Sequence, residues 1–150
     1  MAQAVSGLSD ALSVDCTPEL LAGVLPPARG RLLSVTGAPL DDAARSAHIF
    51  YVPDGIRPYP DQPVSWVLDY AVGFFGGRAS LKAELIDQLQ LTPLLHKRVG
   101  VLSKGQAKRA LLAFGLLTPQ PILMIDEPFE GLDLKQTREA AATLREHADV

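Results

Sequence analysis

An α/β core carrying an inserted helical subdomain is the fold class that the sequence predicts. Three observations lead there. A helical run ending near residue 117 is followed by the continuous apolar run Pro121-Ile-Leu-Met-Ile, the mark of a parallel strand buried on both faces. A second capped helix, residues 133–146, comes next. Residues 64–100 hold helical patterns with no strand among them, which reads as an insert within the α/β order.

The bulk properties agree with a folded chain. The 150 residues are 47% hydrophobic and 21% charged with a net charge of −3, enough apolar content to exclude disorder. A single cysteine, Cys16, excludes a disulfide scaffold. No apolar run reaches the ~20 residues of a membrane-spanning helix. Residues 1–15 lack a basic segment ahead of an apolar one, so no secretory leader is expected. The negative balance argues against nucleic acid as a partner.

Taken in order, Thr17-Pro18 pairs an N-cap with a first-turn proline and predicts a short helix over 18–24, stopped by Pro26-Pro27. Short strands are predicted over 31–35 and 47–52, around a turn-rich stretch at 36–42. Residues 64–75 form a helix that is apolar nearly all round, with Trp66, Tyr70, Phe74 and Phe75. A second helix spans 80–91, and Thr92-Pro93 opens a third, short one. Ser103 caps the helix that runs to Leu117, and Asp133 caps the last. One domain, 1–150, is expected, with its helical subdomain at about 62–103.

Chemistry concentrates at three places. The strand at 121–125 ends in Asp126-Glu127-Pro128, which puts two carboxylates at the C-terminal edge of a parallel sheet, where open α/β sheets place ligands. One carboxylate there can hold Mg²⁺ while its neighbour orients a water; a core strand ending in a polar turn fits the same residues. Leu102-Ser103-Lys104-Gly105-Gln106 reads as a capping box. It also reads as an anion site, because a helix N-terminus offers N–H groups and a favourable dipole, and Gly105 admits a ligand close to the backbone. No acid lies between Asp87 and Asp126, while Lys97, Arg98, Lys104, Lys108 and Arg109 do, a local positive field suited to phosphate. Taken singly, Lys108 and Arg109 also fit a solvated basic helix face. Glu130-Gly131-Leu132-Asp133 is by itself a turn with an N-cap.

The order of these motifs, with 23 positions from Ser103 to Asp126, resembles the ATP-binding cassette (ABC) transporter ATPases, a P-loop NTPase-like family. Leu21-Ala22-Gly23 and residues 30–37 are similar to the segment that follows the family's phosphate loop. Tyr51-Val52-Pro53 is similar to the lead-in to its glutamine loop, and residues 64–100 to its helical subdomain. The resemblance implies two nucleotide-binding subunits that sandwich ATP and Mg²⁺ head to tail. Ser103, Lys104, Gly105 and Gln106 then form the signature facing the partner's ATP, with Ser103, Gly105 and Gln106 on the γ-phosphate. Asp126 holds Mg²⁺, Glu127 is the general base, Asp133 lies on the dimer-facing loop, and Asp54 takes the glutamine-loop position toward a metal-bound water. A membrane permease is the further partner, which places the chain in the cytoplasm at the inner face of the membrane.

Three departures accompany the resemblance, the first being that the glutamine-loop position carries Asp54, an acid that cannot donate a hydrogen bond when ionised. The phosphate loop, Gly-x-x-x-x-Gly-Lys-Ser/Thr, is missing: none of the five lysines follows a glycine, and the expected position falls on Ser13-Val14-Asp15. The switch histidine is expected ~30 residues after the acid pair. Val150 stands 24 positions after Asp126, and His147 falls in the last helix. His48 and His96 receive no role. The expectation is a core incomplete at both ends, a weak ATPase alone that completes a partner's site and that aggregates or binds a partner when isolated. The other expectations are a non-catalytic partner that donates its signature helix, and a soluble ATPase outside transport.

Overall fold

The structure, a computed structural model, describes residues 18–26, 30–34, 37–76 and 78–148. Helix α1 (Pro18–Leu21) closes in a turn at Gly23, whose φ of 83° is the left-handed conformation glycine accepts without strain. The predicted cap Thr17, Cys16 and positions 13–15 lie outside the described residues.

Residues 31–34 make no regular strand. They fold back as a small hairpin in which Leu33 bridges Pro39 and the Ser34 amide donates to the Ala38 carbonyl at 2.8 Å. The predicted strand 47–52 is shorter than expected at its start. Helix α2 (Asp42–His48) takes Ala47 and His48, and β1 begins at Ile49 (Ile49–Val52). The cause is a cap: Asp41 Oδ1 accepts the Ala44 amide at 2.7 Å, and the helix it starts prevails over local strand propensity.

Helix α3 (Val64–Phe75) has the predicted bounds and ends on Gly76 at φ 64°. The second predicted helix divides into a 3₁₀ turn, Ala79–Leu81, and α4 (Lys82–Gln88). Thr92–Leu94 and Val99–Val101 are further 3₁₀ turns. Helix α5 (Lys104–Leu117) leads to β2 (Ile122–Ile125), and α6 (Leu134–Ala148) follows.

Strands β1 and β2 pair in parallel, Ile49 opposite Ile122 and Val52 opposite Ile125. Burial of β2 on both faces is not observed: Ile122 is 43% exposed and the other three residues are half-buried. Among the described residues the sheet has two strands. One face meets α5, where a side chain at Gly115 would come within 2.8 Å of Leu123.

The core lies between the helices. Val64, Val67, Leu68 and Ala71 of α3 pack with Leu85, Leu112, Ala113 and Leu117 in one cluster. Phe50, Phe75 and Phe114 meet edge to face at 5.6 and 6.2 Å between β1, α3 and α5, the favoured geometry for aromatic quadrupoles. Trp66, Tyr70 and Phe74 stack along the outer side of α3. Among the described residues no helix is long and apolar enough to cross a membrane.

Leu68 and Leu112 are each 1% exposed. Truncating either to alanine is expected to destabilise the fold by about 2–5 kcal/mol, read from the midpoint of chemical denaturation. Ile122→Ala, at the uncovered strand start, is expected to cost less than about 1.5 kcal/mol.

Candidate functional site

The acid pair sits where the strand ends. The Asp126 amide donates to the Val52 carbonyl at 3.0 Å, carrying the β1–β2 ladder one residue beyond the named strands. Asp126 is half-buried and Glu127 exposed. Glu127 has a φ of 46°, a left-handed conformation that costs a side-chain-bearing residue about 1–2 kcal/mol. The turn holds it: the Glu130 amide donates to the Glu127 carbonyl at 3.1 Å. At the far end of the loop Asp133 caps α6, its carboxylate accepting the Gln136 amide at 2.8 Å.

Ser103 begins α5 with a reciprocal capping box. Its hydroxyl accepts the Gln106 amide at 3.3 Å, and the Gln106 side chain accepts the Ser103 amide at 3.1 Å. Because the hydroxyl only accepts in this bond, its proton stays available to an outside acceptor. Ser103 and Lys104 are exposed, while Gly105 is buried. The space beside Gly105 is filled from within the chain: a Cβ there would fall inside van der Waals contact of the Gly131 carbonyl oxygen. Gly131 itself has a φ of 79° and would crowd Lys104 at 3.0 Å if substituted. Two glycines thus let the signature turn and the acid loop meet backbone to backbone.

Charge organises the same corner. Lys104 pairs with Glu130 and lies 3.9 Å from Asp54 Oδ2. Its hydrogen bond to Glu130 raises its pKa above the ordinary lysine value, against partial burial, with Glu130, Asp54 and Glu127 adding to the rise. Lys108 is not on a solvated face. Its side chain is 3% exposed, and its ammonium donates to Asp54 Oδ1 at 2.6 Å and to the Asp126 carbonyl at 3.2 Å. That hydrogen bond holds the Asp54 carboxyl below the usual carboxylate range, against partial burial. Arg109 is likewise buried, donating to the Leu89 and Gln90 carbonyls at 3.1 and 3.3 Å. Both cations face inward because α5 is buried from Ala107 to its end, so the basic window does not form a single exposed field.

Ser103, Lys104, Gly105, Asp126, Glu127 and Asp54 therefore gather at one corner, and Asp133 stands at the loop's other end on α6. Arg57 was not marked by any motif. Its guanidinium donates to the Val99 and Leu102 carbonyls at 3.1 and 2.8 Å, tying the segment after Asp54 to the turn before Ser103. His48 bonds the Ala44 carbonyl, His96 is exposed, and His147 lies on α6 beside Gln88.

The donor set suits Mg²⁺ only in a shared manner. Among the described residues no three His, Cys, Asp or Glu side chains group as a metal cage. A lone carboxylate, Asp126, fits a cation that takes its other ligands from phosphate and water. The cleft lined by Asp54, Arg57, Lys104 and Lys108 holds about 170 Å³, smaller than the ~300 Å³ at which small-molecule pockets begin.

The family model described as ABC transporter matches residues 17–130. The cytochrome c biogenesis ATP-binding export protein CcmA of Ruegeria pomeroyi is 36% identical over 127 residues, covering 85% of this chain and 56% of that protein. The thiamine import ATP-binding protein ThiQ of Cereibacter sphaeroides is 31% identical over 132 residues, covering 85% of this chain and 57% of that protein. The chain thus spans a little over half the length of these relatives. A solved structure titled as the ATP binding subunit of an ABC transporter superposes with a TM-score of 0.73 at 22% identity, over 87% of this chain and 57% of that one.

Gly105→Ala is expected to cost about 1–3 kcal/mol, because backbone stands in its way. Glu127→Gly, which relieves a left-handed side chain, is expected to leave the denaturation midpoint unchanged or higher. The ion pairs set a pH window. Stability from the lowered Asp54 carboxyl is complete above the ordinary carboxylate value and is lost as pH falls through the lowered one. That from the raised Lys104 is complete below the ordinary lysine value and is lost as pH rises through the raised one. Asp54→Asn is expected to flatten the acid side of a thermal-melting profile against pH.

Proposed function

Because this chain belongs to the ABC transporter family, we propose that it is part of the ATP-binding subunit of such a transporter, coupling ATP binding and hydrolysis to movement through a membrane permease. The carrying observation is the Gly105–Gly131 packing, which brings the turn bearing the exposed Ser103 against the loop that follows the acid pair.

In this reading the chain works as one half of a head-to-tail pair at the inner face of the membrane. The Ser103 hydroxyl donates its free proton to a phosphate oxygen held by the partner subunit, with Lys104 and Gln106 on the same edge and Gly105 seating the turn against Gly131. Asp126 holds Mg²⁺ and the Glu127 carboxylate receives a proton from water. ATP supplies the phosphoanhydride whose cleavage drives the cycle. Asp133, by shaping the loop end, lies toward the subunit contact.

The residues at 13–15, Ser-Val-Asp, hold no lysine for the β- and γ-phosphates, and Asp15 adds a like charge. The 150-residue chain is therefore a poor ATPase alone that lends its signature helix to a complete partner. The same observation favours a second reading, a non-catalytic half whose lasting role is that loan.

The test mixes the purified chain with a complete ABC ATP-binding subunit and follows phosphate release. Stimulation that Ser103→Arg abolishes is the expected result. Equal turnover with and without the chain overturns it. Calorimetry with Mg-ATP is expected to show no saturable micromolar binding to the lone chain.

A further inference from the structure

Lys108 is a buried lysine that the reading above does not use. It projects from the interior of α5, one turn beyond the signature, and its side chain is 3% exposed. A buried ammonium without partners is strongly unfavourable, and here its two partners come from different parts of the chain. One is the carboxylate of Asp54, just after β1; the other is the main-chain carbonyl of Asp126, at the end of β2. A single side chain thus joins the signature helix to the ends of both strands.

Asp54 is equally committed. Its Oδ1 faces Lys108 at 2.6 Å and its Oδ2 faces Lys104 at 3.9 Å. Three residues on, Arg57 clamps the carbonyls of Val99, Gly100 and Leu102. The turn at residues 54–57 is therefore fastened to α5 from the inside, through Lys108, and to the approach to α5, through Arg57.

We propose that Asp54 and Lys108 form an intrachain tie that sets the signature helix relative to the acidic strand end, with Lys108 the positioning residue. Asp54 then serves α5 rather than a metal-bound water. The tie rests on the proposed ATP-binding role for its consequence, since what it positions is the edge carrying Ser103. An edge held in place before the partner's nucleotide arrives binds it without a further ordering cost.

Hydrogen exchange of the full chain, read peptide by peptide, tests the tie without nucleotide. Asp54→Asn and Lys108→Gln are each expected to speed exchange across residues 103–109 on the order of tenfold, the coupling typical of contacting groups. Exchange in α3 and α6 should move far less. The double variant should exceed neither single, and Asp54→Glu should restore most of the protection. Lys82→Gln, which breaks the Lys82–Asp69 pair elsewhere, controls for loss of an ion pair as such and should leave 103–109 unmoved. Additive effects, a rise spread evenly over α3 and α6, or no rescue by Asp54→Glu overturn the tie.

Phosphate release in the mixture with a complete subunit then separates the two ideas. Asp54→Asn is expected to raise the ATP concentration for half-maximal stimulation several-fold with the saturating rate kept. If Ser103→Arg has no effect in that mixture, the ATP-binding role fails while the exchange data still decide the tie. If Ser103→Arg abolishes stimulation and Asp54→Asn shifts neither exchange nor half-saturation, the tie alone fails.

Discussion

Burying α5 beyond its first turn while it carries Lys108 and Arg109 is the constraint on which the rest of the structure depends. Lys108 and Arg109 are 3% and 9% exposed, and a buried charge requires acceptors in fixed places. Arg109 finds them at the end of α4, where Leu89 and Gln90 present carbonyls that the helix itself cannot satisfy. Lys108 finds them at the strand ends. Each cation thus dictates where a neighbouring element must stop, and the helical part and the sheet are both referenced to one helix.

Helix α3 keeps its expected bounds because residues 64–75 are apolar nearly all round and Gly76 ends the helix. Caps were equally legible: Ser103 and Asp133 both accept the expected amides. At residues 42–48 local pattern failed, because the largely apolar residues 47–52 look like one strand while a single side chain, Asp41, starts a helix that takes the first two. Strand burial also failed, since an apolar run reports the affinity of its side chains for a core, not how many layers are there to cover it.

The candidate site divides in the same way. Acid pair, signature and loop were readable from spacing, because each is contiguous in sequence. Their juxtaposition was not, since it depends on Gly131 meeting Gly105 across 26 positions and on Lys108 meeting Asp54 across 54. Nothing local to Lys108 separates a buried tie from a solvated helix face; the distinction lies in α5 being buried from Ala107 to its end. Arg57 carries no motif, and its role arises from three carbonyls that happen to converge in one turn.

Stability and chemistry occupy different parts of this chain for a physical reason. Most of the buried core side chains lie on α3 and α5, where regular hydrogen bonding satisfies the backbone. The groups suited to phosphate and metal sit on turns: Ser103 before a helix, Asp126 and Glu127 after a strand, Gly131 in a loop. Turns leave polar groups available, yet they do not hold position by themselves, as the left-handed Glu127 illustrates. Such a residue keeps an unfavourable backbone only if its neighbours over-determine it. The neighbours here are the Glu130 amide on its carbonyl, the preceding Asp126 amide locked onto Val52, and the Asp126 carbonyl held by Lys108. The acidic strand end is therefore held in part by α5, through Lys108, the same helix whose N-terminus carries Ser103.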